Sequence, residues 1–85
     1  MVGRVPDLNT VVARNVRAER ARHGLRQSDL ARLTGWSVDT VSNLETGQRR
    51  VGVADLPVLC RAFGITFDRL LVGADPDDLQ VLGLS

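Results

Sequence analysis

The chain has 85 residues, 44% of them apolar, and a formal net charge of +1. That suits one small domain around a single core. No apolar run approaches the roughly 20 residues of a membrane span, and the opening MVGRVPDLN lacks the apolar stretch of a secretory signal. A lone Cys60 leaves no internal disulfide and fits a reducing interior. Charge is unevenly spread. Residues 1–50 hold nine Arg and five acids, net +4, whereas residues 51–85 hold two Arg and five acids, net −3. The first part therefore suits an anionic partner and the second does not. All eleven basic residues are Arg, whose planar fork matches phosphate.

Residues 1–6 read as a loose arm. Asp7 or Asn9 can cap a first helix running to about His23, with Val12, Val16 and the aliphatic part of Arg20 inward. Gly24 ends it. From Arg26 to Gly47, RQSDLARLTGWSVDTVSNLETG reads as two short helices joined by a tight turn. Leu30 and Leu33 lie three apart in the first, Val41 and Leu44 in the second, which puts each pair on one helical face. Gly35 can take positive φ, Ser37 offers an oxygen to the free N–H groups of the second helix, and Trp36 can staple against Val41. Ala31 is small where the two helices cross. A small residue, Gly four later and an apolar residue six after that is helix-turn-helix spacing.

Gly47 closes the second of these helices, and QRRVG makes a basic loop. A fourth helix begins near Asp55, tolerates Pro57 in its first turn, buries Leu56, Leu59, Cys60 and Phe63, and ends at Gly64. Ile65 packs inward, and FDRLL forms a short fifth helix ending at Gly73. Asp75, Pro76 and two following acids are helix-start signals. Residues 76 to about 82 are either a short sixth helix, with Leu79 and Leu82 on one face, or a frayed end. The expected fold is all-α with five helices. The domain covers 7–73, and residues 74–85 form a tail.

These residues resemble the Cro/phage-repressor class of helix-turn-helix proteins, the XRE family. The match comprises Arg20, residues 24–31, Leu33, Gly35, Ser37, Val41, residues 44–47, Leu56, Leu59, residues 62–65 and residues 70–73. There are two departures: Arg26 stands where the family has a Ser or Thr cap, and Val51-Gly52 replaces a proline after the basic loop. The resemblance implies a lambda-repressor-like five-helix bundle that binds double-stranded DNA. It also implies an ion pair between Arg20 and Glu45, joining the first and third helices.

In such a motif the second helix enters the major groove. Asp39, Ser42, Asn43 and Thr46 then face outward, with Val38 leading. The resemblance places Val38, Asp39, Ser42 and Asn43 at base edges. Their chemistry agrees: Asn43 can pair with adenine, Val38 can touch a thymine methyl, and Asp39 can accept from cytosine. The resemblance also puts Gln27 and Ser37 on phosphates. Thr40, Arg26 and the loop residues Arg49 and Arg50 are further phosphate candidates. Trp36 and Cys60 read as packing residues. One His and one Cys give no metal or nucleophile pair, so neither an enzyme nor a cofactor is expected. The regulator implied is a cytoplasmic, nucleoid-associated repressor acting as a homodimer on a pseudo-palindrome. Phe67, Leu70, Leu71, Leu79 and Leu82 would pair across the two-fold axis. The alternative is an antitoxin or adaptor whose protein partner docks on the acidic half.

Overall fold

A computed structural model describes residues 6–84, so the expected arm lies outside them except for Pro6. Asp7 caps the first helix: its Oδ1 accepts from the Thr10 N–H at 2.8 Å. Helix α1 runs Leu8–Arg22, α2 Gln27–Thr34, α3 Val38–Thr46 and α4 Asp55–Phe63. A 3-10 helix, Phe67–Leu71, and a final helix, α5, Pro76–Val81, follow. Among the described residues the fold is all-α. No described helix is long and apolar enough to cross a membrane.

The short fifth helix expected over residues 67–71 is present and is wound as a 3-10 helix. Five residues between the packed Ile65 and the Gly73 turn are too few for a well-bonded α-helix, and 3-10 winding is the usual form of such short pieces. Asn15 of α1 fastens its end: Nδ2 donates to the Leu70 carbonyl at 2.7 Å and the Val72 carbonyl at 2.9 Å. The tail is helical rather than frayed. The Asp75 carboxylate accepts from the Asp77 N–H at 2.9 Å, with Pro76 in the first turn.

The core gathers Val12 and Val16 of α1, Leu30 and Ala31 of α2, Val41 and Leu44 of α3, Leu59 and Phe63 of α4, and Leu70 and Leu71. Fully burying each such aliphatic side chain stabilises by about 1.5–3 kcal/mol. Leu56 and Cys60, expected in the α4 stripe, are only half-buried and pack on the core's margin. Leu33 departs from expectation: it is 54% exposed. The inward arc of α2 is Gln27, Leu30, Ala31 and Thr34, the i, i+3, i+4, i+7 series, and position 33 lies just outside it. Leu70 and Leu71, expected to serve a dimer contact, are instead closed inside the protomer, at 0% and 5% exposure. Asn15 ties the 3-10 helix to α1, and both leucines join the core between them.

Two acids carry the polar skeleton. Glu45, on α3, accepts from Arg20 of α1 through both oxygens, at 2.7 Å from Nε and 3.0 Å from Nη2. Gln27, at the start of α2, donates to the same carboxylate at 3.2 Å. Arg20 Nη1 reaches the Leu25 carbonyl at 2.9 Å. Glu19 is the second acid, 4% exposed. It meets Arg22 at 2.8 Å and Arg69 of the 3-10 helix at 3.1 Å. His23 lies 3.5 Å away, its ring stacked on Phe63 with centroids 5.7 Å apart. The sequence gives no periodic signal for Glu19, because it interrupts an otherwise apolar face.

The Glu45 side chain is 3% exposed and that of Arg20 17%. Removing one partner leaves the other charge buried. Arg20→Ala should therefore cost about 3–5 kcal/mol in urea unfolding. A loss below about 1 kcal/mol, the size expected of a surface pair, would show that the pair does not hold the helices.

Candidate nucleic-acid interface

The turn that aims α3 is set by Gly35. Its φ of 78° lies in the left-handed region, and the N–H groups of Gly35 and Trp36 both reach the Ala31 carbonyl, the latter at 3.0 Å. Ser37 then caps α3. Its Oγ accepts from the Thr40 N–H at 3.0 Å and donates to Thr40 Oγ1 at 2.9 Å. The Ser37 proton is thus used internally, while the Thr40 hydroxyl proton is left to donate outward.

With Val41 and Leu44 each 1% exposed, the opposite side of α3 faces solvent. Val38, Asp39 and Asn43 are exposed and Ser42 is half-buried, so the structure brings the four expected base-facing residues onto one side. Among the described residues, the α3 side-chain hydrogen bonds belong to Thr40, Thr46 and the inward Glu45. Asp39, Ser42 and Asn43 keep their side-chain polar atoms uncommitted. Thr46 turns its hydroxyl back onto the Ser42 carbonyl at 3.1 Å.

The expected phosphate residues divide into those held and those left open. Arg26 is exposed, its side chain 82% so. It cannot cap α2 with its side chain, because a guanidinium has no acceptor. Asp29 supplies the cap from inside the helix, accepting from the Arg26 N–H at 2.8 Å and from Arg32 at 2.8 Å. The Arg26 backbone bond, against some desolvation and with help from both arginine side chains, holds the Asp29 carboxyl below its usual range. Gln27 turns one amide N–H to Glu45 and retains the other.

Arg49 and Arg50 differ. Arg50 is exposed. Arg49 is fixed on two sides: its Nη atoms meet Asp55 at 3.0 and 3.4 Å, and its guanidinium lies 5.5 Å from the centre of the Trp36 ring. Trp36 therefore packs in the turn as expected and also carries the loop. Sequence reasoning missed Asp55. The available signal was an acid six residues after an arginine, at the far end of a glycine-containing loop. Asn9, left over from capping, accepts from the Val51 N–H at 2.7 Å. Val51 can donate there because, unlike a proline, it keeps its backbone N–H.

Two helices crossing at a left-handed glycine turn, the second with an uncommitted polar face and a basic loop behind it, define a helix-turn-helix of the DNA-binding regulator class. The chain belongs to the helix-turn-helix domain family, whose model matches residues 11–72. It is similar to the clp gene regulator ClgR from Corynebacterium glutamicum at 29% identity, covering 81% of this chain and 90% of that one with a TM-score of 0.74. It is also similar to the restriction-modification controller protein C.AhdI from Aeromonas hydrophila: 31% identity, 73% and 94% coverage, TM-score 0.68. A hypothetical transcription factor, NHTF, from Neisseria gives 27% identity, 96% and 95% coverage, and a TM-score of 0.72. A search of curated protein sequences found no match.

Burial pushes the Asp55 carboxyl up, but hydrogen bonds from Arg49 and the Gly52 N–H, with the Arg49 charge, together hold it below its usual value. The folded form thus binds its proton less readily than the unfolded chain. Its stabilising contribution is present above about pH 4 and is lost as pH falls through the folded pKa. Emission from Trp36, the single Trp, should change over that acid range as Arg49 is released. The same acid change surviving in Asp55→Asn would assign it to another group.

Proposed function

We propose that this chain is a sequence-specific regulator of transcription that lays α3 in the major groove of double-stranded DNA. It acts as a repressor by occupying a promoter, in the cytoplasm on the nucleoid. The observation that carries the reading is the α3 face: Val38, Asp39, Ser42 and Asn43 lie together, the side-chain polar atoms of the last three uncommitted, on a helix fixed from behind by Glu45. Val38 is suited to a thymine methyl and Asn43 to the N6/N7 edge of adenine. Thr40, the second amide N–H of Gln27, Arg26, Arg49 and Arg50 supply phosphate contacts, which set register without reading sequence. Similar proteins named as a clp gene regulator and a restriction-modification controller support a regulatory role. Asn43→Ala should cost about 1–3 kcal/mol of specific binding and relax one position of each half-site. Selection from random DNA gives the check: a motif identical to that of the parent would remove Asn43 from the readers.

The reading extends to a two-fold dimer. One helix reads too few base pairs to define a site, so two should enter successive major grooves, with half-sites about 10 bp or 34 Å apart. The pairing surface we infer is narrower than the sequence suggests. Leu70 and Leu71 belong to the core and Leu79 packs against it. What remains outward is Val81, Leu82 and Leu84, exposed by 86%, 52% and 46%, while Phe67, like Leu79, is half-buried against the core. Leu82→Glu should leave the fold intact and shift the protein to monomer in sedimentation velocity. A dimer of unchanged strength would move the interface elsewhere, and a wild-type monomer at high concentration would remove the free-solution dimer.

A further inference from the structure

We propose that Asp55 and Trp36 are positioning residues that hold Arg49 as a preset phosphate clamp in the loop after α3. The inference rests on the DNA-binding reading and states how one contact in it is made. A guanidinium has five N–H donors in a rigid plane, which give it two edges for paired acceptors and two faces for stacking. Asp55 takes the end edge, with Nη1 to Oδ2 at 3.0 Å and Nη2 to Oδ1 at 3.4 Å. The Trp36 ring lies below the guanidinium carbon, its centre 5.5 Å away. The side edge, Nε–H with the second Nη2–H, has no partner among the described residues, on a side chain 39% exposed.

The frame around Arg49 is itself fixed. Asp55 has a 15% exposed side chain and also accepts from the Gly52 N–H at 2.8 Å. The Arg49 backbone N–H donates to the Asn43 carbonyl at 3.0 Å. Both ends of the arginine are therefore tied down, and little freedom is left to lose when a phosphate arrives. Trp36 belongs to the turn that leads into the Ser37 cap of α3, so the Arg49 guanidinium lies near a side chain of that turn. Arg50 makes no comparable side-chain bond and contributes as a mobile charge.

A carboxylate beside this arginine has an opposite interpretation, in which Asp55 masks Arg49 and repels DNA. The two differ in sign. Removing a negative charge should by electrostatics alone tighten binding to a polyanion, whereas losing a positioning residue weakens it. The test measures binding of the full chain to a mixed-sequence duplex across a salt series. Asp55→Asn, which keeps an oxygen for the Gly52 N–H, should bind about tenfold more weakly, the size of one charge-assisted hydrogen bond. In an Arg49→Ala background the same change should have no effect. Arg49→Lys keeps the charge and the salt slope but cannot engage a carboxylate and a phosphate on two edges at once. It should lose as much as Asp55→Asn, and it guards against misfolding of the Asp55 variant. Unchanged or tighter binding by Asp55→Asn, or Arg49→Lys equal to the parent, overturns the proposal and leaves DNA binding standing. A parent protein with no salt-dependent binding overturns both.

Discussion

Glu45 is where three helices meet, and the orientation of α3 depends on it. Its carboxylate sits on the inward side of the very helix whose outward side is left uncommitted. Arg20 approaches from α1 in fork geometry and Gln27 from the start of α2. Because Arg20 also holds the Leu25 carbonyl, the α1–α2 connection is drawn into the same node. A buried ion pair gives little net stability over an apolar replacement, but its directional bonds distinguish one helix rotation from another. The apolar contacts of Val41 and Leu44 are not directional in this way. The node fixes which residues of α3 point away from the core.

The loop after α3 has a second set of constraints that come from distant parts of the chain. Asn9 holds Val51 from α1, Asp55 holds Gly52 and Arg49 from α4, and the Asn43 carbonyl holds the Arg49 backbone from α3. These bonds replace the stiffness that a proline would give. Proline would fix φ and remove the N–H at position 51. Valine retains that N–H, and Asn9 accepts from it. Substituting proline here would remove one of the ties that hold the basic loop to the body.

The helix-turn-helix and most helix ends could be read from the sequence because they rest on local chemistry: Ser37 as cap, the left-handed Gly35 and Gly47, the Asp75-Pro76 start. The core series Val12, Val16, Val41, Leu44, Leu59 and Phe63 follows from period alone. Leu33 did not, because a short helix offers few apolar positions and a spacing of three fits either flank of its buried arc. The candidate site was legible on α3, where the buried side fixes the exposed one. It was less legible in the loop, where the partners of Arg49 and Val51 come from other elements and no spacing rule connects them. Glu19 shows the same limit. Its burial depends on Arg69, 50 residues away. The short Phe67–Leu71 segment was legible as a helix but not in its winding. Its leucines suit either the core or a dimer contact by sequence, and only the packing of the segment on α1 assigns them to the core.

Helix α5 is six residues long and contains no buried residue, and only Leu79 packs against the core. That is below the length at which a helix holds by itself in water. Segments of this kind open with little free energy while the remainder stays folded. When such opening is fast relative to cleavage, the rate of proteolysis follows the open population rather than global unfolding. The lifetime of the chain would then be set at α5, far in sequence from the helix aimed at DNA. A substitution there could change how long the protein persists without changing what it recognises.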